Sequence, residues 1–264
     1  MSSRRCLSIR LLETRTHITR RKEVRAVGYS KELFGLQTQI SLDTGREALK
    51  WVAVATMTVD HIGAALFPQY EFLRVIGRLS FPIYCYLIVL GVDSTRDLKN
   101  YFLRLFLFAC ASQIPFSLAL EHSPLGTLNI FFTLAFGVLS TVNPVLMFAS
   151  LGLSYFLNFD YGPYGIALIA AMRILRDHTR NGLILVVLLN TIIVFESPIQ
   201  PFSLLAVPLI LLHKNGLLRT RRERLDDGYN EKKTYPAWRK YFFYVYYPLH
   251  LTIIYAAKSL IFTH

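Results

Sequence analysis

The sequence predicts an all-α protein, a polytopic membrane helical bundle with about nine transmembrane helices, although eight or ten also fit the segment lengths. Of its 264 residues, 53% are hydrophobic and 17% are charged, whereas a soluble domain usually carries about 25% charged residues. The apolar residues form continuous runs separated by short polar breaks, without the alternation of a membrane β-barrel. Composition and pattern together favour helices that cross a membrane.

Nine apolar segments follow a basic amino-terminal arm. The arm, residues 1–45, lacks a sustained apolar face, and we expect it to be disordered or to lie on the cytoplasmic surface. The segments of the remaining domain, 46–264, lie at about 49–67, 72–91, 101–120, 128–140, 143–159, 163–176, 182–196, 199–213 and 241–262. A basic loop at 214–240 precedes the last one. Several segments are shorter than the ~20 residues that a span needs, which leaves the exact count open.

Positive charges fall on alternate loops. The second, sixth and eighth loops and their flanks hold Arg96, Lys99 and Arg104, then Arg173, Arg176 and Arg180, then nine more from Lys214 to Lys240. The loops near Pro68, Glu121, Asp160 and Glu196 contain no Lys or Arg. By the positive-inside rule, this alternation predicts a multi-pass protein with a cytoplasmic N-terminus.

The net charge of +12 suits this orientation. In a soluble protein it would suggest nucleic acid, but here we attribute it to topology and to contact with anionic lipid, and we expect no nucleic-acid partner. The three cysteines, Cys6, Cys85 and Cys110, have no metal or redox spacing, and no metal site is predicted. The first apolar segment also begins too late for a secretory signal peptide.

Polar residues interrupt several apolar segments at a similar depth. Asp60 and His61 lie near the middle of the first segment, where each charge costs at least ~2.5 kcal/mol. With the predicted orientation, residues from the other segments also lie between the midplane and the outer surface: Arg74, Arg78, Gln113, Asn129 and His250. This shared depth predicts one polar site built from several helices.

The chain resembles the TraX family of conjugative-pilus acetylases over about residues 44–262. The resemblance depends on an ordered set of motifs: Asp60-His61, Gly77-Arg78 with Phe81-Pro82, Gln113, Asn129-Ile130, Tyr164-Gly165 and Tyr247-Pro248-Leu249-His250. It implies an integral protein of the bacterial inner membrane that acetylates the N-terminus of a pilin, or a related exported peptide or glycan acceptor. It also implies acetyl-CoA as the acetyl donor, because no motif in the sequence itself indicates a CoA site.

His61 and His250 are the candidate acid–base residues. An imidazole titrates near neutral pH, so either histidine could take a proton from an acceptor amine. The alternatives are a polar clamp between helices for Asp60 and His61, and a buried core histidine for His250. Asp60 and His61 point about 100° apart on a helix, so we expect them to contact different neighbours.

Arg78 and Asp60 complete the predicted catalytic set. Arg78 could pair with Asp60, hold phosphates or stabilise an oxyanion, or the pair could only fix helix packing. Arg74, nearer the surface, is a candidate substrate-binding residue that could instead extend to the interface. Gln113 and Asn129 could bind a carbonyl oxygen, although hydrogen bonds between helices would explain them nearly as well.

Two other functional classes fit a polar intramembrane cluster. A proton-coupled transporter would also place Asp, His and Arg at mid-depth, but the sequence has no internal repeat and no matching pair of broken helices. A non-enzymatic assembly subunit of a conjugation or secretion complex would tolerate replacement of Asp60, His61 and His250. The identity of the acceptor stays open at this point.

Overall fold

The described residues of the computed structural model, 43–123, 126–219 and 237–262, form an all-α fold, as predicted. They contain α1 (Thr44–Ala65), α2 (Glu71–Gly77), α3 (Ser80–Ser94), α4 (Leu98–Leu120), α5 (Ile130–Ser140), α6 (Pro144–Phe156), α7 (Gly162–Asp177), α8 (Thr179–Ile192), α9 (Ala206–Lys214) and α10 (Ala237–Phe262). Two 3₁₀ helices, Ile193–Phe195 and Gln200–Leu205, join α8 to α9. Each of the nine predicted segments therefore contains helix. The predicted arm, up to residue 42, and most of the 214–240 loop lie outside the described residues.

Side-chain caps set several helix starts. Asp43 accepts a hydrogen bond from the Arg46 amide at 3.0 Å and begins α1 several residues earlier than predicted. Asp97 and Asn143 cap α4 and α6 in the same way. Each cap satisfies an amide that the first helical turn leaves without a partner. Because Asp43 and Asp97 lie outside the apolar runs, hydropathy alone placed the starts of α1 and α4 too late, whereas the segment of α6 was predicted to begin at its cap, Asn143.

The predicted second helix is broken between α2 and α3. Gly77 ends α2 directly against Asp60 of α1, and a Cβ atom at Gly77 would overlap the Asp60 side chain. The missing side chain lets α2 approach α1 closely. Consequently Arg74 and Arg78, on either side of Gly77, both reach the same carboxylate.

One end of the bundle, here called the basic end, is joined by ion pairs. Arg173 and Arg176 at the end of α7 both pair with Asp93 at the end of α3. Lys214 donates to the Leu175 carbonyl at 2.7 Å, and His213 lies 3.1 Å from Asp43. The bond to His213 lowers the pKa of Asp43 to about 2. The loops predicted to be cytoplasmic thus meet at this end.

The opposite end, here called the site end, gathers the loops that were predicted to carry no positive charge. Leu128 and Phe159 form an isolated bridge between the segments before α5 and α7. Lys258 of α10 pairs with Glu121 after α4 at 2.6 Å. Asp60 and Arg74 also meet here, on either side of the turn after α1. The loops therefore segregate between two ends, as the charge pattern predicted.

The core is built around α3, which is buried on nearly every side. Eleven of its residues are buried, among them Phe81, Tyr86 and Leu90. Helix α3 packs against α1, α5 and α7. A helix that is apolar all round needs such complete coverage.

Two helical stretches of the described residues are long and apolar enough to cross a membrane, Glu71–Ser94 and Leu98–Leu120. Helix α1 has 22 residues but carries Lys50, Asp60 and His61. Helices α5 to α9 have 9 to 16 residues each, fewer than the ~20 of an ordinary span. Each predicted segment contains helix, but by length and composition only two stretches of the described residues are candidate spans.

Gly182 provides a test of the α7–α8 packing. A Cβ atom at Gly182 would overlap the Leu175 backbone, whereas one at Gly152 of α6 would meet no atom within 4 Å. We expect Gly182→Ala to lower stability by about 1–3 kcal/mol through overpacking. Gly152→Ala should be neutral or slightly stabilising, because alanine is the better helix former.

Thermal unfolding of the two purified variants in the same detergent measures this difference. Equal midpoints for Gly182→Ala and Gly152→Ala would contradict the close approach of the two helices.

Candidate active site

A cavity of about 300 Å³ lies at the site end of the bundle. Its walls come from the last turns of α1, the end of α4, the start of α5 and the segment before α7. Its polar lining includes Asp60, His61, Arg74, Arg78, Asp160 and Tyr247. Four of these, Asp60, His61, Arg74 and Arg78, were predicted site residues, so residues from α1 and the α2–α3 region converge as their depth suggested.

Asp60 is the buried anion of the cavity. Its Oδ2 accepts a hydrogen bond from Arg74 Nη1 at 2.7 Å, and its Oδ1 lies 3.8 Å from Arg78 Nη2. The expected contact with Arg78 is present, but Arg74 is the closer partner and also donates to the Asp60 carbonyl at 3.3 Å. A single carboxylate between two guanidinium groups reduces the cost of burying all three charges.

Arg78 connects this ion cluster to a neutral polar network. Its Nη1 donates to the Tyr161 hydroxyl and to Gln200 Oε1, both at 3.2 Å. The network continues among buried side chains, from Gln200 to Tyr164, Asn190 and Ser203. The two bonds from Nη1 restrict the orientation of the guanidinium, whose buried Nε has no hydrogen-bond partner among the described residues.

His61 and His250 form a buried pair, with His61 Nδ1 2.7 Å from His250 Nε2. The second nitrogen of His250, Nδ1, lies 2.9 Å from the Tyr246 carbonyl oxygen. A carbonyl oxygen can only accept, so His250 Nδ1 carries the proton and His250 Nε2 accepts. His61 Nδ1 is therefore the donor, and neutral His61 keeps a lone pair on Nε2. Since His61 lines the cavity and His250 does not, His61 is the accessible base of the pair.

Aromatic contacts hold His250 in place. The Tyr246 ring stacks on His250 with a centroid separation of 5.0 Å, and its hydroxyl contacts Thr58 Oγ1 at 2.8 Å. Thr58 itself donates to the Val54 carbonyl, so the tyrosine donates to Thr58. The α10 segment that contains Tyr246 and His250 is thereby bonded to α1 at two points.

Gln113 and Asn129 lie beside the cavity rather than in its lining. Asn129 caps α5 by accepting from the Phe131 amide at 3.0 Å, and its amide group donates to Ala109 and Gln113. Gln113 in turn donates to the Thr127 carbonyl at 2.8 Å. These bonds tie α4 to the start of α5. Substrate binding by either amide stays an untested prediction, and it forms no part of our proposal.

The matching family model is described as TraX protein and covers residues 45–258, well over half of the chain. The chain belongs to the TraX family. The resemblance expected from the motifs is thus confirmed, and the matched range contains every predicted site residue.

Two curated relatives of this TraX family member differ greatly in coverage. The probable fimbrial assembly protein FimC, serogroup H1, of Dichelobacter nodosus is 26% identical over 242 residues, which cover 83% of this chain and 97% of the relative. An uncharacterized protein of Rickettsia prowazekii (strain Madrid E) is 44% identical over 41 residues, 16% of each chain. No solved structure matches.

Asp160 is the cavity residue that sequence reasoning missed. The sequence alone places it in a loop without Lys or Arg, on the predicted outer side. Burial raises the pKa of Asp160 to about 6, and the Arg78 guanidinium partly opposes this rise. A single acidic residue in a predicted outer loop gives no signal of its own, because the loop has to fold inward before the carboxylate meets the cavity.

No cluster of three or more His, Cys, Asp or Glu side chains suited to a metal ion occurs in the part of the chain that the structure describes. The chemistry of the cavity is that of carboxylates, guanidinium groups and imidazoles. A volume of about 300 Å³ lies at the lower limit for small-molecule sites, so the cavity accommodates a small acyl group and its immediate neighbours.

Removing the Asp60 carboxylate should destabilise the protein. Asp60→Ala leaves two partly buried guanidinium groups without their anion, at an expected cost of ~3–5 kcal/mol. The matched control is Asp93→Ala, which also breaks pairs with two arginines but at the more exposed basic end. We expect a smaller loss there, of ~1 kcal/mol, since exposed pairs are weak.

Membrane abundance and detergent thermal stability of both variants measure this contrast. A loss for Asp93→Ala equal to or larger than that for Asp60→Ala would contradict the structural importance of the buried cluster.

Proposed function

We propose that this chain is a membrane-embedded acetyltransferase that transfers an acetyl group from acetyl-CoA to the amino terminus of a pilin or a related exported acceptor. One observation carries the proposal: His61, whose hydrogen bond to His250 assigns its ring proton to Nδ1, lines a cavity that also contains two arginines. A base beside cationic groups is what acyl transfer to an amine requires.

His61 would act as the general base. As the acceptor nitrogen attacks the thioester carbonyl, its proton passes to His61 Nε2 and a tetrahedral oxyanion forms. When this intermediate collapses, the C–S bond breaks and the imidazolium returns the proton to the thiolate. The products are an amide and the free thiol of CoA, and His61 is again neutral.

His250 would position His61 rather than contact the substrate. It accepts the hydrogen bond from His61 Nδ1 and so keeps the ring proton of neutral His61 on that nitrogen, which leaves Nε2 free to accept a proton. The Tyr246 carbonyl fixes the tautomer of His250 in turn. This arrangement resembles a catalytic triad, in which a third group orients the base by a hydrogen bond.

The arginines would stabilise the developing oxyanion. Arg74 and Arg78 both line the cavity. Each guanidinium group keeps N–H groups that its interaction with Asp60 does not use. A guanidinium held in place before the reaction needs little reorganisation when negative charge appears on the carbonyl oxygen.

Family membership and a relative's name support a pilin-related acceptor. The chain belongs to the TraX family, and the D. nodosus relative that it matches along nearly its full length is named a probable fimbrial assembly protein. A fimbria is built from exported subunits, whose amino termini would be accessible at the site end.

The protein surface supports insertion in the bacterial inner membrane. Large apolar side chains are exposed along α4, α6, α8 and α10, including Leu107, Phe148, Leu188, Leu249 and Ile253. Exposed apolar area on this scale is unfavourable in water and is expected at a lipid-facing surface. The candidate spans and the cationic basic end are consistent with a multi-pass chain whose N-terminus is cytoplasmic.

A non-enzymatic role in pilus assembly is the second candidate, favoured by the same relative's name. It requires the surface and the fold but not the imidazole of His61. Histidine variants that remain inserted therefore distinguish the two functions.

The acetylation test uses membranes that contain the full chain, [¹⁴C]acetyl-CoA and exported pilin, with mass spectrometry of the pilin amino terminus. We expect His61→Gln to lower the rate by ~10²-fold or more, because no other base occupies that position. His250→Gln should retain more activity than His250→Leu, since the glutamine carbonyl still accepts a hydrogen bond. His178→Gln, at the exposed junction of α7 and α8, is the control.

Wild-type acetylation by a stable His61→Gln variant would exclude this mechanism. Unmodified pilin in the presence of the wild-type chain, together with normal pilus assembly by His61→Gln, would favour the assembly role.

Orientation is tested with reporter fusions. We expect a fusion after Arg222 to report the cytoplasm, because positively charged loops are retained on that side. A fusion at Glu196, in the loop after α8, should report the outer side. Reversal of either result would contradict the proposed orientation and the accessibility of the cavity to an exported acceptor.

A further inference from the structure

Asp160 is a second carboxylate in the cavity, and the mechanism above does not use it. It lies between α6 and α7 and lines the cavity together with His61 and Arg78. Among the described residues, its carboxylate has no salt-bridge partner, whereas Asp60 has two. A carboxylate withdrawn from water is costly unless it meets a cation or a hydrogen-bond donor.

The backbone holds Asp160 in position. Its amide donates to the Leu128 carbonyl at 2.7 Å, and its carbonyl accepts a hydrogen bond from Thr133 Oγ1. Asn158 and Tyr161, on either side, have left-handed φ angles of 49° and 62°. Non-glycine residues in this conformation carry local strain that the surrounding structure must offset, and such strain is concentrated at functional sites.

The backbone and the side chain of Asp160 have different contacts. The main chain of Asp160 makes the bonds that join this loop to α5, and the side chain is left facing the cavity. The carboxylate interacts with the backbone N–H of Tyr161, but it forms no hydrogen bond or salt bridge with another side chain of the described residues.

The charges around Asp160 favour a cationic ligand. Arg74 interacts with Asp60, and Arg78 divides its donors among Asp60, Tyr161 and Gln200. Neither arginine forms a salt bridge with Asp160, although the charge of Arg78 acts on its carboxylate. An amino-terminal amine has an ordinary pKa of about 7.7–8.0 and arrives at neutral pH mainly as an ammonium ion.

We propose that Asp160 binds the ammonium group of the acceptor and removes the first of the two protons that this nitrogen must lose. The proposal rests on the acetyltransferase function. It assigns the acceptor chemistry to a primary ammonium rather than a glycan hydroxyl, since a hydroxyl group carries no charge for Asp160 to pair with.

The proton balance requires two acceptors. An ammonium ion and a thioester yield an amide, a thiol and one released proton. Asp160 takes the first proton, which gives a neutral amine, and later releases it to solvent. His61 takes the second as the N–C bond forms and returns it to the thiolate when the C–S bond breaks.

The test compares two acceptors whose attacking nitrogens differ in charge at pH 7. One is a pilin amino-terminal peptide, and the other is the same peptide with an aminooxy group in place of its amine, which is neutral at pH 7. Initial rates are measured with acetyl-CoA and full-length protein in membranes, for the wild type, Asp160→Asn and Glu196→Gln. Glu196 is an exposed acid at the site end, so Glu196→Gln makes the same chemical change away from the cavity.

We expect Asp160→Asn to lower kcat/KM about tenfold or more for the ammonium peptide, and less than about threefold for the aminooxy peptide. Glu196→Gln should leave both rates unchanged. This selective loss cannot come from misfolding, which would lower both rates together.

Equal losses of activity toward the two peptides, or no loss, would overturn the role of Asp160 while leaving the acetyltransferase intact. A wild-type protein that acetylates neither peptide nor whole pilin would instead overturn the proposed function on which the role rests.

Discussion

The ion cluster of Asp60, Arg74 and Arg78 is the constraint on which the rest of the site depends. Asp60 is only 8% exposed, and both guanidinium groups converge on it from either side of Gly77. Removal of Asp60 leaves two guanidinium groups without their anion in an apolar environment. The close approach of α2 to α1, which needs the missing side chain of Gly77, follows from this requirement. The cluster in turn fixes the wall of the cavity that faces His61.

A second set of bonds joins the two ends of the sequence. His61 of α1 and His250 of α10 are separated by 189 positions, yet their rings are 2.7 Å apart at the bonded nitrogens. Tyr246 reinforces the contact by its carbonyl to His250 and its hydroxyl to Thr58. The acid–base properties of His61 therefore depend on the last helix, because α10 determines which nitrogen of His61 is protonated.

The two ends of the bundle differ in their charged side chains. Its basic end is held by ion pairs such as Arg176 with Asp93, whereas its site end contains the cavity and loops with few cations. A chain oriented by its positive charges would expose the two ends to different compartments. That separation suits a protein which, in our proposal, joins a cytoplasmic acetyl donor to an exported acceptor.

The sequence by itself determined the class of the fold and the positions of its helices, because continuous apolar runs are a local property of the chain. It also indicated that Asp60, His61, Arg78 and His250 belong to one site, since buried polar residues in apolar helices need partners. Only the tertiary structure decided how these partners are matched. Arg74 is closer to Asp60 than Arg78 is, Asn129 and Gln113 bond to each other, and the backbone turns Asp160 into the cavity. Such choices depend on helix rotation and close approach, which bring together side chains that hydropathy along the sequence cannot relate to one another.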